Sequence, residues 1–175
     1  MSDHPGAIHF YIHIMEASAE PGRALPYADR LGSLMPGAGH LVHMPFHIYY
    51  RVGQYKDAIE ANRRAVAADE AYLAEARPEG IYPLAYYPHN IHSLMTSAQM
   101  AGDGASAVTA AEKLARVVSQ DAGRSIAWVQ PILVAPYFVH AQLSSPDTTL
   151  ALADPGDDLP YVKAMWHYAR GVAHA

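Results

Sequence analysis

Two histidine pairs of identical spacing, His9-x3-His13 and His43-x3-His47, lie 34 residues apart, and so do the small residues Ala24 and Ala58. A shared offset of that length constrains the fold more than any other feature. It makes the chain a tandem of similar units that bury apolar surface by stacking on one another. The unit is clearest from Gly39 to Asp69, GHLVHMPFHIYYRVGQYKDAIEANRRAVAAD. Gly53, Tyr55, Ala58 and Ala65 supply the turn and the small packing positions of a helix–turn–helix. Its first helix carries His40, His43 and His47, which project from one face at 3.6 residues per turn. A third unit aligns through Gly102 and Ala107, after an insertion from about Ala74 to Tyr87.

The breakers place the helices. Pro5 suits a first helical turn and Pro21–Gly22 interrupt the chain, which predicts a helix over 5–17. A second runs over 23–34, with Pro26 in its first turn and Pro36–Gly37 beyond its end. A third covers 39–52 and bends at Pro45. A fourth, 55–75, alternates alanine with charge. PEGIYPLAYYP, between Arg77 and Pro88, reads as an ordered loop or short turns. Helices over 89–101 and 105–118 follow. SIAWVQPILVAPYFVHAQL is apolar all round and predicts a buried helix kinked at Pro131 and Pro136. A short helix near 148–153 and a last one over 161–175 complete the reading, about nine helices in one domain. The repeats fall at 5–35, 39–73, 88–120 and, degenerate, 124–154. The terminal helix lacks a partner, so it is expected to cap the stack, to meet another molecule as in a homo-oligomer, or to be completed by further sequence of a longer repeat array.

Composition narrows the function. The 175 residues suit one domain with a sizeable core. A net charge of −5 without a basic block argues against nucleic acid or an anionic membrane as partner. No apolar run reaches the roughly 18 residues of a membrane-spanning helix, and the N-terminus lacks a signal peptide's pattern, so the expected compartment is the cytoplasm. The chain has no cysteine, which removes thiolate chemistry and disulfides together. Histidine is the outlier, 11 of 175 residues.

The helix-pair pattern resembles the tetratricopeptide (TPR) repeat. The segments HPGAIHFYIH, GHLVHMPFHIYYRVGQY, YYPHNIH and AMWHYARG are similar to motifs of bacterial TPR repeat proteins, a likeness that runs from His4 to Gly171. It implies an all-α, TPR-like α-solenoid of antiparallel helix pairs. It implies no reaction. It also implies which places line the concave surface: 2, 5, 9, 12 and 13 of each repeat's first helix. Those places hold His9, His13 and Glu16 in the first repeat. The second offers His40, His43, His47, Tyr50 and Arg51, and the third His89, His92 and Thr96. Histidine thus fills seven of nine places at positions 2, 5 and 9, where its overall frequency would fill fewer than one.

Seven imidazoles on one groove form a nitrogen-rich ligand set. Imidazole is neutral near pH 7 and suits zinc, copper, iron and nickel. Pairs at i, i+4 on a helix can chelate one ion, and three helices could hold one ion or two. With no thiolate and one obvious carboxylate, Glu16, the set favours copper, then zinc, then iron. It disfavours an oxygen-rich magnesium or calcium site. Di-iron bundles use Glu-x-x-His on carboxylate-rich helices, of which His13-x2-Glu16 is only a reversed single instance. Glu16 is a candidate ligand, general base or histidine orienter, and Asn90 a candidate to orient a ligand or bind substrate. Tyr11, Tyr50, Tyr86 and Tyr87 are candidate pocket walls or oxyanion donors. Arg51 is a candidate for a substrate carboxylate or for a surface ion pair. Met15, Met44 and Met95 sit beside the histidines in sequence, where core packing competes with thioether ligation. A lone helical histidine is more often a packing residue, and His4, His140, His167 and His174 are read that way.

These residues point first to a metalloenzyme acting on a small molecule, with copper-dependent oxidation ahead of zinc-dependent hydrolysis. A TPR scaffold binding an acidic peptide through Arg51 and charged histidines is the rival, and a metal carrier without catalysis a third.

Overall fold

The computed structural model describes residues 3–175. Eleven α-helices account for the architecture, and no strand occurs among the described residues. They are α1 (Pro5–Glu16), α2 (Leu25–Leu34), α3 (Gly39–His43), α4 (Pro45–Arg51), α5 (Tyr55–Ala76) and α6 (Tyr87–Ala101), then α7 (Gly104–Val117), α8 (Gln120–Ser125), α9 (Gln130–Leu143), α10 (Pro146–Leu150) and α11 (Pro160–His174). None is long and apolar enough to cross a membrane.

The predicted bend at Pro45 is a break. Met44 keeps helical dihedrals between α3 and α4, but Pro45 has no N–H to donate to the preceding turn. The expected loop at 77–88 is partly helical. A π-helical turn, Tyr82–Tyr86, leads directly into α6, which therefore starts two residues before His89. The single apolar helix expected after Gln120 is divided. The short α8 and a 3₁₀ turn at Ala127–Val129 precede α9, and Pro131 falls in the first turn of α9, where its missing N–H costs little.

Two large apolar cores result, with a small third cluster of Val134, Leu159 and Val162 between α9 and α11. Ile8, Ile12, Leu31, Met44 and Ile48 join α1, α2 and the α3–α4 segment. Ile91, Met95, Ala107, Ala111, Leu114, Val129 and Val139 join α6, α7 and α9. The long α5 packs against α3, α4 and α6 and so ties the halves together. Its inner stripe is Ala58, Ala61, Asn62, Ala65 and Asp69, all fully buried. Alanines there let neighbouring helices approach closely. Gly39 completes the approach: a Cβ on it would lie 1.8 Å from Asp69 Oδ1, so any larger residue must displace the Asp69 carboxylate or α3 itself.

Candidate metal centre

The histidines of α1, α3, α4 and α6 meet in the groove between these helices. On the inner side, His43 Nε2 is 3.0 Å from His47 Nε2 and 3.1 Å from His89 Nε2. Two nitrogens each about 2.0–2.1 Å from one ion are at most about 4 Å apart, so both distances fit a shared cation. The outward ring nitrogens are anchored. His43 Nδ1 lies 2.7 Å from Asn62 Oδ1, and His47 Nδ1 lies 2.9 Å from Glu16 Oε1.

Those anchors fix the protons. Asn62 Nδ2 donates to the Ala58 carbonyl, so its Oδ1 faces His43 as an acceptor. His43 must therefore donate from Nδ1, leaving a lone pair on Nε2. Glu16 accepts from His47 Nδ1 in the same way and leaves the His47 Nε2 lone pair facing inward. An imidazole nitrogen has one in-plane lone pair, yet two nitrogens approach His43 Nε2. One proton can bridge a single pair and leaves the third nitrogen without a partner. A cation at the common focus satisfies all three. Burial, then the neighbouring His89 and His47, lowers the His43 pKa well below its usual value. Burial, then His47, His40, His92 and His13, lowers that of His89 to about 3. Both rings are neutral donors at pH 7, the state a metal requires.

Three side-chain groups here could hold an ion: His43, His47 and His89; His9, His13 and His40; and His13, Glu16 and His47. Within each, the ligand atoms lie within 4.8 Å of one another. The predicted His9, His13, His40, His43, His47 and His89 are thus brought together, with Glu16 between His13 and His47. His92 belongs to none of these groups. It follows His89 by three residues, turned aside on α6, and its pKa is lowered by burial alone.

The remaining candidates divide by face. Tyr86 borders the groove, its ring 4.9 Å from that of His40. Tyr87 faces the other way, into the core, and donates to Glu70 at 2.8 Å. Asn90, three residues on, also turns toward α5 and donates to Asp69 at 2.7 Å. Tyr50 packs on Phe46 and Tyr55. Arg51 is exposed at the end of α4, close enough for its charge to favour ionised Glu16. Tyr11 packs on Tyr27. Met15, Met44 and Met95 are core residues. His140 bonds Ser144, and His4 caps α1 by accepting from the Ala7 N–H at 3.2 Å.

The groove opens as a pocket of about 720 Å³, lined by His9, Phe10, His13, His40, His47, Ile81, Tyr86, His89 and Trp128. This falls within the usual range for small-molecule sites. The lining has no Asp, Glu, Lys or Arg. Trp128 and Ile81 reach it from distant segments and were not singled out in the sequence. Nor were Asn62 and Asp69, the buried polar pair on α5. Asp69 accepts from Tyr82 at 2.6 Å as well as from Asn90, so it ties α5 to the turn before α6 and to α6 itself. Burial raises the Asp69 pKa, and these two hydrogen bonds oppose that shift. Comparison of the chain with protein-family models, curated proteins and solved structures returns no match.

Proposed function

We propose that this protein is a transition-metal protein on a TPR-like α-solenoid, holding an ion between His43, His47 and His89 and acting on a small molecule in the adjoining pocket. The observation that carries the reading is the convergence of three Nε2 atoms, two of whose rings are locked lone-pair-inward by Asn62 and Glu16. Such anchoring orients metal-ligating imidazoles in general. Bound there, an ion would supply Lewis acidity, or a redox couple if it is copper or iron. The chain's own contribution is orientation and exclusion. Glu16 and Asn62 hold the tautomers, while Phe10, Ile81, Tyr86 and Trp128 offer an uncharged wall to the substrate.

Six histidines and a single carboxylate favour copper and an oxidation. One feature favours the second reading, zinc and hydrolysis: Glu16 lies against His47, where a base could serve a water bound beside three imidazoles. Elemental analysis of tag-free protein tests the metal, and turnover assays with each ion separate the two chemistries. The expected result is tightly held copper or zinc that the His43→Ala, His47→Ala double variant loses while keeping its helical circular dichroism. Protein that takes up neither ion, or a double variant that holds as many ions as the wild type, would overturn the reading. If the double variant does not fold, His89→Gln, at a less buried ring, is read the same way.

A further inference from the structure

The outer side of the groove carries a second set of nitrogens that the first site does not use. His9 Nε2 and His40 Nδ1 are buried, and neither has a hydrogen-bond partner among the described residues. Buried polar nitrogens without partners are costly, and each one in a folded protein calls for a cause. These two belong to one group of three with His13, drawn from two turns of α1 and the start of α3. The rings of His9 and His13 are 4.8 Å apart between centroids, and those of His9 and His40 are 5.3 Å apart. A structural role for the three rings would leave two desolvated nitrogens idle. A ligand role employs both.

We propose that His9, His13 and His40 bind a second first-row transition ion, copper or zinc, making the groove a two-metal centre. The proposal rests on the reading of the groove as a metal site, but its ligands are different residues. The rings of the second triad are neutral donors. The His40 pKa is lowered to about 4 by burial, then by His9, His47 and His13, and burial also lowers those of His9 and His13. The two triads adjoin. His13 and His47 are 4.8 Å apart between ring centroids, and His40 and His43 are 5.6 Å apart. Glu16 lies at this seam, bonded to His47 and 3.9 Å from His13 Nδ1. Neighbouring two-metal sites clamp one small ligand from both sides. The pocket wall that includes His9, His13, His40, His47 and His89 places such a ligand against both triads.

The test is metal stoichiometry after loading with copper(II) or zinc(II) and gel filtration. It compares the wild type, His9→Ala with His40→Ala, and His43→Ala with His47→Ala. The expected values are two ions per chain for the wild type and one for each double variant. One ion in both the wild type and the His9/His40 variant would overturn the second site and leave the first standing. One ion in the wild type and none in the His9/His40 variant would transfer the only site to the outer triad and overturn the first. No ion in any protein would overturn both. His9 and His40 are partly exposed, so the variant should fold. Should it not, the single substitution His9→Asn gives the same readout, an expected fall from two ions to one.

Discussion

His47 and His140 look alike by every coarse measure. Each sits on a helix, each is at least 93% buried, and each borders a pocket. They differ in their partners. His140 lies 2.9 Å from Ser144 Oγ one turn along α9, and its pocket of about 240 Å³ is lined mainly by side chains of α9 and of the 152–155 segment, most of them apolar. A hydroxyl can donate or accept, so that pair satisfies itself in either tautomer. His47 is held by a carboxylate on one nitrogen and faces other imidazoles with the second. Burial alone therefore carries no functional information here. What separates the two residues is their company: His140 pairs with a hydroxyl one turn away, whereas His47 joins a carboxylate to a cluster of imidazoles.

The contrast extends to the two halves of the molecule. The half that packs α7, α9 and α11 buries mainly Ala, Val, Leu and Ile, with His140 and Thr149 as buried polar exceptions. The half around α1, α3, α4 and α5 buries His43, His47, Asn62 and Asp69 among its alanines. Placing these polar groups inside lowers stability unless their partners are complete. The histidine-bearing half thus sets a polar wall beside an apolar core of its own.

The contrast breaks most sharply under substitution of the rings themselves. His43→Ala with His47→Ala should remove the ion held with His89, whereas His140→Ala should leave the metal content unchanged, both read by elemental analysis. The next largest effect is expected at the helix approach. Gly39→Ala drives a methyl into Asp69 Oδ1 and should lower stability by about 1–3 kcal/mol in urea denaturation. Gly171→Ala, in the last turn of α11 where nothing lies within 4 Å of the new Cβ, should raise it by about 0.5 kcal/mol.

Smaller effects sharpen the contrast. Glu16→Gln removes the charge that orients His47 and should weaken metal affinity by about 10- to 100-fold in competition titrations. Ser144→Ala, its counterpart at His140, should leave the affinity unchanged. Tyr87→Phe deletes the bond to Glu70 and should cost about 1 kcal/mol of stability with no change in metal affinity.

Much of the candidate site was legible in the sequence, because i, i+4 spacing on a helix fixes which rings share a face. His9 with His13 and His43 with His47 needed nothing more. Tyr87, Asn90 and His92 were harder. Their faces depend on where α6 begins, and the π-helical turn before it starts the helix at Tyr87 rather than His89. From that start, Tyr86 and His89 look into the groove while Tyr87 and Asn90, each one residue on, look toward α5. Asn62 and Asp69 had a readable signal. They lie on the stripe of Ala58 and Ala65, at spacings of three and four, where a polar side chain is buried by position. Trp128 and Ile81 had none, since only the tertiary fold brings them to the pocket.

The most direct measurement is anomalous diffraction at the copper and zinc edges from crystals soaked in each ion. The account predicts a peak about 2.0–2.1 Å from the Nε2 atoms of His43, His47 and His89. A peak elsewhere alone, or none, with those nitrogens paired through water, would contradict it.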